Sequence, residues 1–145
     1  MQQVSERIVL TIWIGGMWAI GYIVAPTLFA MIDDRVLAGS IAGRLFTIMS
    51  FIGLFSASFL ILTLAIRNGR QFVQQWRSWL LVAMLILIVL GEFWLQPQMS
   101  ALRENGITDS EKARFGMLHG MASVLFLINS LSGLILLIFG LRKQN

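Results

Sequence analysis

The chain alternates between long uncharged segments and short polar ones. Charged side chains are missing from residues 8–32, 45–66 and 115–141, and residues 78–97 contain only Glu92. About 20 apolar residues in a helix cross a hydrocarbon core about 30 Å thick, so each segment is long enough to span a bilayer. The pattern predicts four transmembrane helices, over residues 6–32, 34–66, 76–97 and 109–141.

Three of these predicted helices are longer than a bilayer requires. Helix 2 continues about two turns beyond its apolar part, and helix 3 continues past Pro97 to residue 105. Helix 4 opens on Thr108-Asp109-Ser110-Glu111, which has the spacing of a capping box. We expect an all-α, integral membrane four-helix bundle, one domain over residues 1–145, with helices 2, 3 and 4 extended on the outer side.

Composition narrows the function classes. Hydrophobic residues make up 57% of the chain and charged residues 12%, about half the charged share of a soluble domain. The 25-residue first segment exceeds the apolar core of about 7–15 residues in a signal peptide, so we expect it to be retained. The absence of cysteine excludes disulfides and thiol chemistry. The net charge of +4 belongs to membrane loops, and we expect no nucleic-acid partner.

Charge also predicts an orientation. The side with both termini and the loop after helix 2 has six basic residues and one acidic residue, whereas the other side has five of each. The acid-free arginines at 67, 70 and 77 lie beside Trp76 and Trp79, which are typical of a membrane interface. We expect both termini in the cytoplasm, in a bacterial inner membrane.

Polar residues from different helices fall at similar depth in the outer half. They are Glu92, His119, Arg44 and the segment with Tyr22 and Pro26, where the proline leaves a carbonyl without its helical donor. Trp18 lies on the same face as Tyr22. Ionisable groups inside membranes usually face the bundle interior and pair. We expect an outer polar pocket in which Glu92 pairs with Arg44 or His119. The alternative is an ion pair that only holds the helices together.

Small and polar residues on helices 2 and 4 predict close helix packing. Small residues spaced four apart let helices approach closely, and polar side chains between helices hydrogen-bond. The predicted packing residues are Gly39, Gly43, Gly116, Gly120, Ser123, Asn129, Ser130 and Gly133. The glycine pairs also favour a homo-oligomer, or contact with another membrane protein.

Metal chemistry has one candidate residue. One histidine and no cysteine cannot form a closed tetrahedral zinc site, so we predict no metal site and no cofactor. His119, with Met117, Met121 or Glu92, leaves open a haem or copper site completed by a second subunit. No nucleophile–base set is spaced for catalysis, which makes a non-enzymatic protein the leading expectation.

Two sequence blocks carry a family resemblance. The first runs from Gly16-Met17-Trp18 through Pro26-Thr27-Leu28-Phe29 to Ala38-Gly39 and Gly43. The second is Leu118-His119-Gly120-Met121-Ala122-Ser123, followed by Asn129. In this order, with four spans, they resemble the transmembrane protein 205-like family, whose bacterial members are a domain of unknown function. The resemblance implies a small polytopic membrane protein and no settled activity.

These observations lead to one functional expectation and one alternative. We expect the protein to bind or pass a small ligand, or to bind a protein partner, through the outer polar site. The alternative is a redox membrane protein that holds haem or copper through His119.

Overall fold

Four long helices form the structure, a computed structural model that describes residues 2–104 and 106–140. Helix α1 covers residues 2–31, α2 is Arg35–Asn68, α3 is Trp76–Glu104 and α4 is Lys112–Phe139. The described residues contain no strand, and all four helices are long and apolar enough to cross a membrane. The predicted helical membrane architecture is confirmed. The predicted ends at residues 105 and 141 lie outside the described residues.

An aspartate and a glycine set the two ends of α2. The Asp34 carboxylate accepts hydrogen bonds from the backbone N–H groups of Val36 at 2.9 Å and Leu37 at 3.1 Å. These two donors have no partner within the helix, so the aspartate satisfies them. At the other end Gly69 has φ +50°, a conformation that costs glycine little. A short 3-10 helix, Gly69–Gln74, then leads into α3.

The capping sequence before α4 forms a turn rather than the first turn of the helix. The Glu111 carboxylate accepts from the Thr108 hydroxyl at 2.8 Å and from its backbone N–H at 3.2 Å. These bonds, the hydroxyl first, lower the pKa of Glu111. Because the pKa of Glu111 is lowered in the folded state, these bonds contribute to the stability of the fold at neutral pH. That contribution is lost as the pH falls through the folded-state pKa. Regular helix begins at Lys112, three residues after the predicted start at 109.

The helices form a ring in which α1 and α3 each pack against α2 and α4. Trp13 lies at its centre with only 1% of its surface exposed. Gly53 of α2 makes room for it, since a Cβ there would lie 2.8 Å from Trp13 Nε1. We call the end with the start of α1 and the close of α2 the terminal end, and the other the distal end. The distal end corresponds to the predicted outer side.

Both proline-containing helices carry a π-helical turn. In α1 the turn is Ala19–Val24, and Ala25 donates to the carbonyl of Ile20. In α3 it is Gly91–Leu95, and Gln96 donates to the carbonyl of Gly91. A π turn contains one more residue than an α turn, so side chains beyond it are rotated by about 100° from α-helical expectation. The turns therefore change which residues of the distal half face the bundle.

Candidate functional site

His119 and Arg44 lie on the surface of the bundle rather than in a closed pocket. Both side chains are exposed. The imidazole of His119 stacks on Phe115, with 6.3 Å between ring centroids, and the Ser123 hydroxyl donates to the His119 carbonyl at 2.8 Å. Neither residue is drawn inward by a partner on another helix among the described residues.

Glu92 is half-buried within the π turn of α3. The expected ion pairs of Glu92 with Arg44 and with His119 are not formed. Within residues 2–104 and 106–140, the ion pairs join Arg67 to Glu6 at 3.0 Å and Lys112 to Asp109 at 2.6 Å. Arg44 and His119 extend from exposed positions on the bundle surface, whereas Glu92 is half-buried, so the charged groups do not meet.

The aromatic residues of α1 meet α4. The Tyr22 hydroxyl donates to Ser130 Oγ at 3.1 Å, and the Tyr22 ring lies 5.6 Å from Phe126 and 5.6 Å from Trp18 between centroids. Phe126 also contacts Phe46 of α2, with centroids 5.4 Å apart. Tyr22 thus belongs to a helix–helix contact. Trp18 packs against Tyr22 along the same helix, and Pro26 is exposed one turn further on.

The predicted packing residues divide into buried and open positions. A Cβ at Gly133 would meet Ile14 of α1, and one at Gly39 would lie 3.8 Å from Phe29. Asn129 and Ser130 are buried, and Asn129 Oδ1 has no partner in the described part of the chain. Gly116 and Gly120 face open space, with nothing within 4 Å of an added Cβ, and Ser123 is exposed.

A polar cluster that the sequence analysis missed lies in the distal half, between α2 and α3. Gln96 Nε2 approaches the Gly43 carbonyl and Thr47 Oγ1, each at 3.4 Å. A Cβ at Gly43 would lie 2.8 Å from Arg103 Nη1 and 3.3 Å from Gln96 Nε2. Gly43 therefore makes room for two polar side chains from α3. Gln96 occupies the place beside α2 that was predicted for Glu92.

Arg103 is the unusual member of this cluster. Its side chain is half-buried, and its Nε is buried without an acceptor among the described residues. The guanidinium lies 5.5 Å from the centre of the Phe115 ring, and no described carboxylate is within ion-pair distance. A buried donor without a partner costs about 1–3 kcal/mol, and more when charged. The cluster is thus rich in donors, positively charged and short of acceptors.

One sequence signal pointed to this cluster. Gln96 and Arg103 are seven residues apart, which places them on one face of a helix two turns apart. From the sequence alone, Arg103 contributes only to the charge of the outer loop. Its burial depends on Gly43 of α2 and Phe115 of α4, which are distant in sequence. The positive charge and the N–H donors of the cluster are chemically complementary to the oxygen atoms of an anion.

The described residues hold no group of three or more His, Cys, Asp or Glu side chains that could bind a metal ion. His119 is therefore without such a group around it. As a haem or copper ligand it stays the alternative predicted from the sequence.

Four apolar helices, with large side chains such as Phe55 and Trp79 facing outward, define an integral membrane protein that contacts lipid. A family model described as Domain of unknown function (DUF4149) matches residues 8–108, and the chain belongs to this family. The match ends before α4 and does not confirm the transmembrane protein 205-like label. No match to a curated protein or to a solved structure was found.

Two double-mutant cycles distinguish the ion pair that forms from the one that was expected. For Glu6→Gln with Arg67→Gln we expect a coupling energy of about 0.2–1 kcal/mol, as for a partly exposed pair. For Glu92→Gln with Arg44→Gln we expect additivity within about 0.3 kcal/mol, because the groups do not meet. Thermal unfolding in detergent measures both. Equal coupling energies in the two cycles would contradict the conclusion that Glu6 pairs with Arg67 while Glu92 and Arg44 do not pair.

Proposed function

We propose that this protein, as one membrane domain, binds a small anionic ligand at the distal polar cluster and acts by binding rather than catalysis. The observation that carries the proposal is the half-buried Arg103 guanidinium. Among the described residues its Nε has no acceptor, and no carboxylate lies beside it. A cation in a low-dielectric site gains most from an anion that replaces its lost hydration.

The chemistry of the cluster suggests a carboxylate or a phosphate. Arginine presents a planar set of N–H donors that matches either group in a bidentate arrangement. Gln96 adds an amide near the guanidinium, and Phe115 covers the guanidinium on the α4 side. The ligand would therefore reach the cluster with its anionic end towards Arg103.

The residues predicted from the sequence remain proposed contributors around this cluster. Arg44 follows Gly43 directly and would add a second positive charge at the entrance. Glu92 precedes Gln96 by one turn of α3. His119, Trp18, Tyr22 and Pro26 are proposed to line the neighbouring distal surface, between α1 and α4.

Anion titration tests the binding site. At ten times its Kd, an anion should stabilise the folded protein by about 1.4 kcal/mol. We expect phosphate or acetate to raise the Tm above that in chloride of equal ionic strength, and Arg103→Gln to abolish the difference. The matched control Arg35→Gln removes an exposed charge from the same end of the bundle. This variant should retain the Tm difference between phosphate or acetate and chloride.

The same experiment includes a second readout. Without added anion, Arg103→Gln should leave the Tm unchanged or raise it, because an uncompensated cation has been removed from a poorly hydrated site. A wild-type Tm that responds alike to phosphate, acetate and chloride would overturn the proposal. So would an Arg103→Gln variant that retains the wild-type response.

We further propose a bacterial inner membrane as the location, with both termini in the cytoplasm. The support is the acid-free group of arginines at 67, 70 and 77, since basic loops favour the cytoplasmic side. This orientation would place the distal cluster on the periplasmic side.

Single cysteines test the orientation without background, because the chain has none. In intact cells, a membrane-impermeant maleimide should label Ser110→Cys in the distal loop. It should label Gln71→Cys, in the connection between α2 and α3, only after the membrane is opened. The reverse pattern would show that the termini face outward.

Self-association through α4 is proposed on the glycine spacing. Gly116 and Gly120 lie one turn apart and face open space, so no helix of the same chain uses the approach that they permit. A second copy, rather than a different membrane protein, is the occupant that we propose.

Leucine substitution tests this contact. A Cβ at Gly116 has no other helix within 4 Å, so for Gly116→Leu we expect an unchanged Tm together with less cross-linked dimer in membranes. Gly15→Leu is the matched control, because Gly15 also faces open space, on α1. Unchanged cross-linking in Gly116→Leu would rule out this face.

A further inference from the structure

The connection between α2 and α3 forms an open cavity at the terminal end of the bundle. Its volume is about 260 Å³, and it is lined by Gln71, Gln74, Gln75, Trp76 and Arg77. Among the described residues, three amides, one guanidinium and one indole ring form this lining, and no carboxylate belongs to it. This lining is suited to the oxygen atoms of an anion, and it lies at the opposite end of the helices from the distal cluster.

Hydrogen bonds within the connection hold this lining in place. Asn68 Nδ2 donates to Gln75 Oε1 at 3.1 Å, which leaves the Gln75 NH₂ group to donate elsewhere. Trp79 Nε1 donates to the carbonyl of Val73 at 2.9 Å, so the 3-10 helix is tied to the first turn of α3. A preorganised lining loses less conformational entropy when a ligand binds.

The electrostatic surroundings are positive. Arg67, Arg70 and Arg77 fall within eleven residues that contain no acid, and Glu6 of α1 pairs with Arg67. Arg70 is exposed, and the Arg77 guanidinium lies 6.0 Å from the Trp76 ring centre. Basic clusters directly beside membrane helices attract anionic lipid head groups.

Exposed aromatic and apolar groups beside the cavity favour a position at the membrane surface. Trp76 is 45% exposed, Trp79 is 61% exposed and Val73 is 60% exposed. Tryptophan gathers where head groups meet hydrocarbon, because its ring is apolar and its N–H is polar. A ligand held here would have its polar part among the amides and its apolar part beside the tryptophans.

We propose that this cavity binds the phosphate head group of an anionic phospholipid from the adjoining leaflet. A volume of about 260 Å³ is below the roughly 300–1,000 Å³ of pockets that enclose a drug-sized ligand, so it accommodates a head group and leaves the acyl chains in the bilayer. The phosphate oxygens accept from Arg77 and the glutamine amides. The acyl chains descend past Trp76 and Trp79.

Lipid titration with one isosteric variant tests the proposal. Native mass spectrometry of the full chain in a non-ionic detergent would count bound phosphatidylglycerol, with phosphatidylcholine and inorganic phosphate as comparison probes. Gln74→Glu places a carboxylate in the cavity at an exposed position and should weaken phosphatidylglycerol binding about fivefold or more. Gln98→Glu makes the same change at the distal end and should leave binding unaltered.

Three results would overturn the proposal. The first is equal binding of phosphatidylglycerol to wild type and Gln74→Glu. The second is phosphatidylcholine binding as tight as that of phosphatidylglycerol. The third is binding of inorganic phosphate that matches the lipid and is lost in Gln74→Glu, which would identify a free phosphate site. Arg103→Gln should leave lipid binding unchanged, so this test is separate from that of the distal cluster.

Discussion

Every backbone N–H and C=O group inside a hydrocarbon layer needs a partner within the protein, and this constraint shapes the bundle. Proline breaks the pattern, because it has no N–H to donate. In both α1 and α3 the proline directly follows the last residue that donates five positions back, Ala25 and Gln96. The proline, which lacks an N–H donor, therefore lies where the helix changes from π to α spacing. The missing hydrogen bond and the change of spacing fall at the same position in each helix.

The two ends of the bundle differ in whether an arginine that contacts a neighbouring helix has a described counter-charge. At the terminal end Glu6 neutralises Arg67 across α1 and α2, with side chains that are 15% and 37% exposed. In the distal half Arg103 lies against Gly43 and Phe115 without a described counter-charge. The first arrangement is complete within the chain. The second leaves Arg103 Nε without an acceptor among the described residues.

The four membrane-spanning helices could be predicted from the sequence because charged side chains are costly in hydrocarbon. Long uncharged segments therefore mark the spans directly. The polar site was harder to predict, since the π turn at Gly91–Leu95 changes which residues of α3 face α2. The tryptophans also show that contacts between distant segments are hard to predict from the sequence. Trp18 was singled out, but Trp13 is the buried one, because Gly53 on another helix leaves space for its ring.

The π turn of α3 also constrains how the chain can vary. Losing one residue between 91 and 95 would restore α spacing and turn the whole distal extension of α3 by about 100°. Arg103 and Gln96 would then leave Gly43, although every residue of the cluster was still present. The number of residues in this turn should therefore be better conserved than their identities. An insertion or deletion there should be more damaging than a substitution.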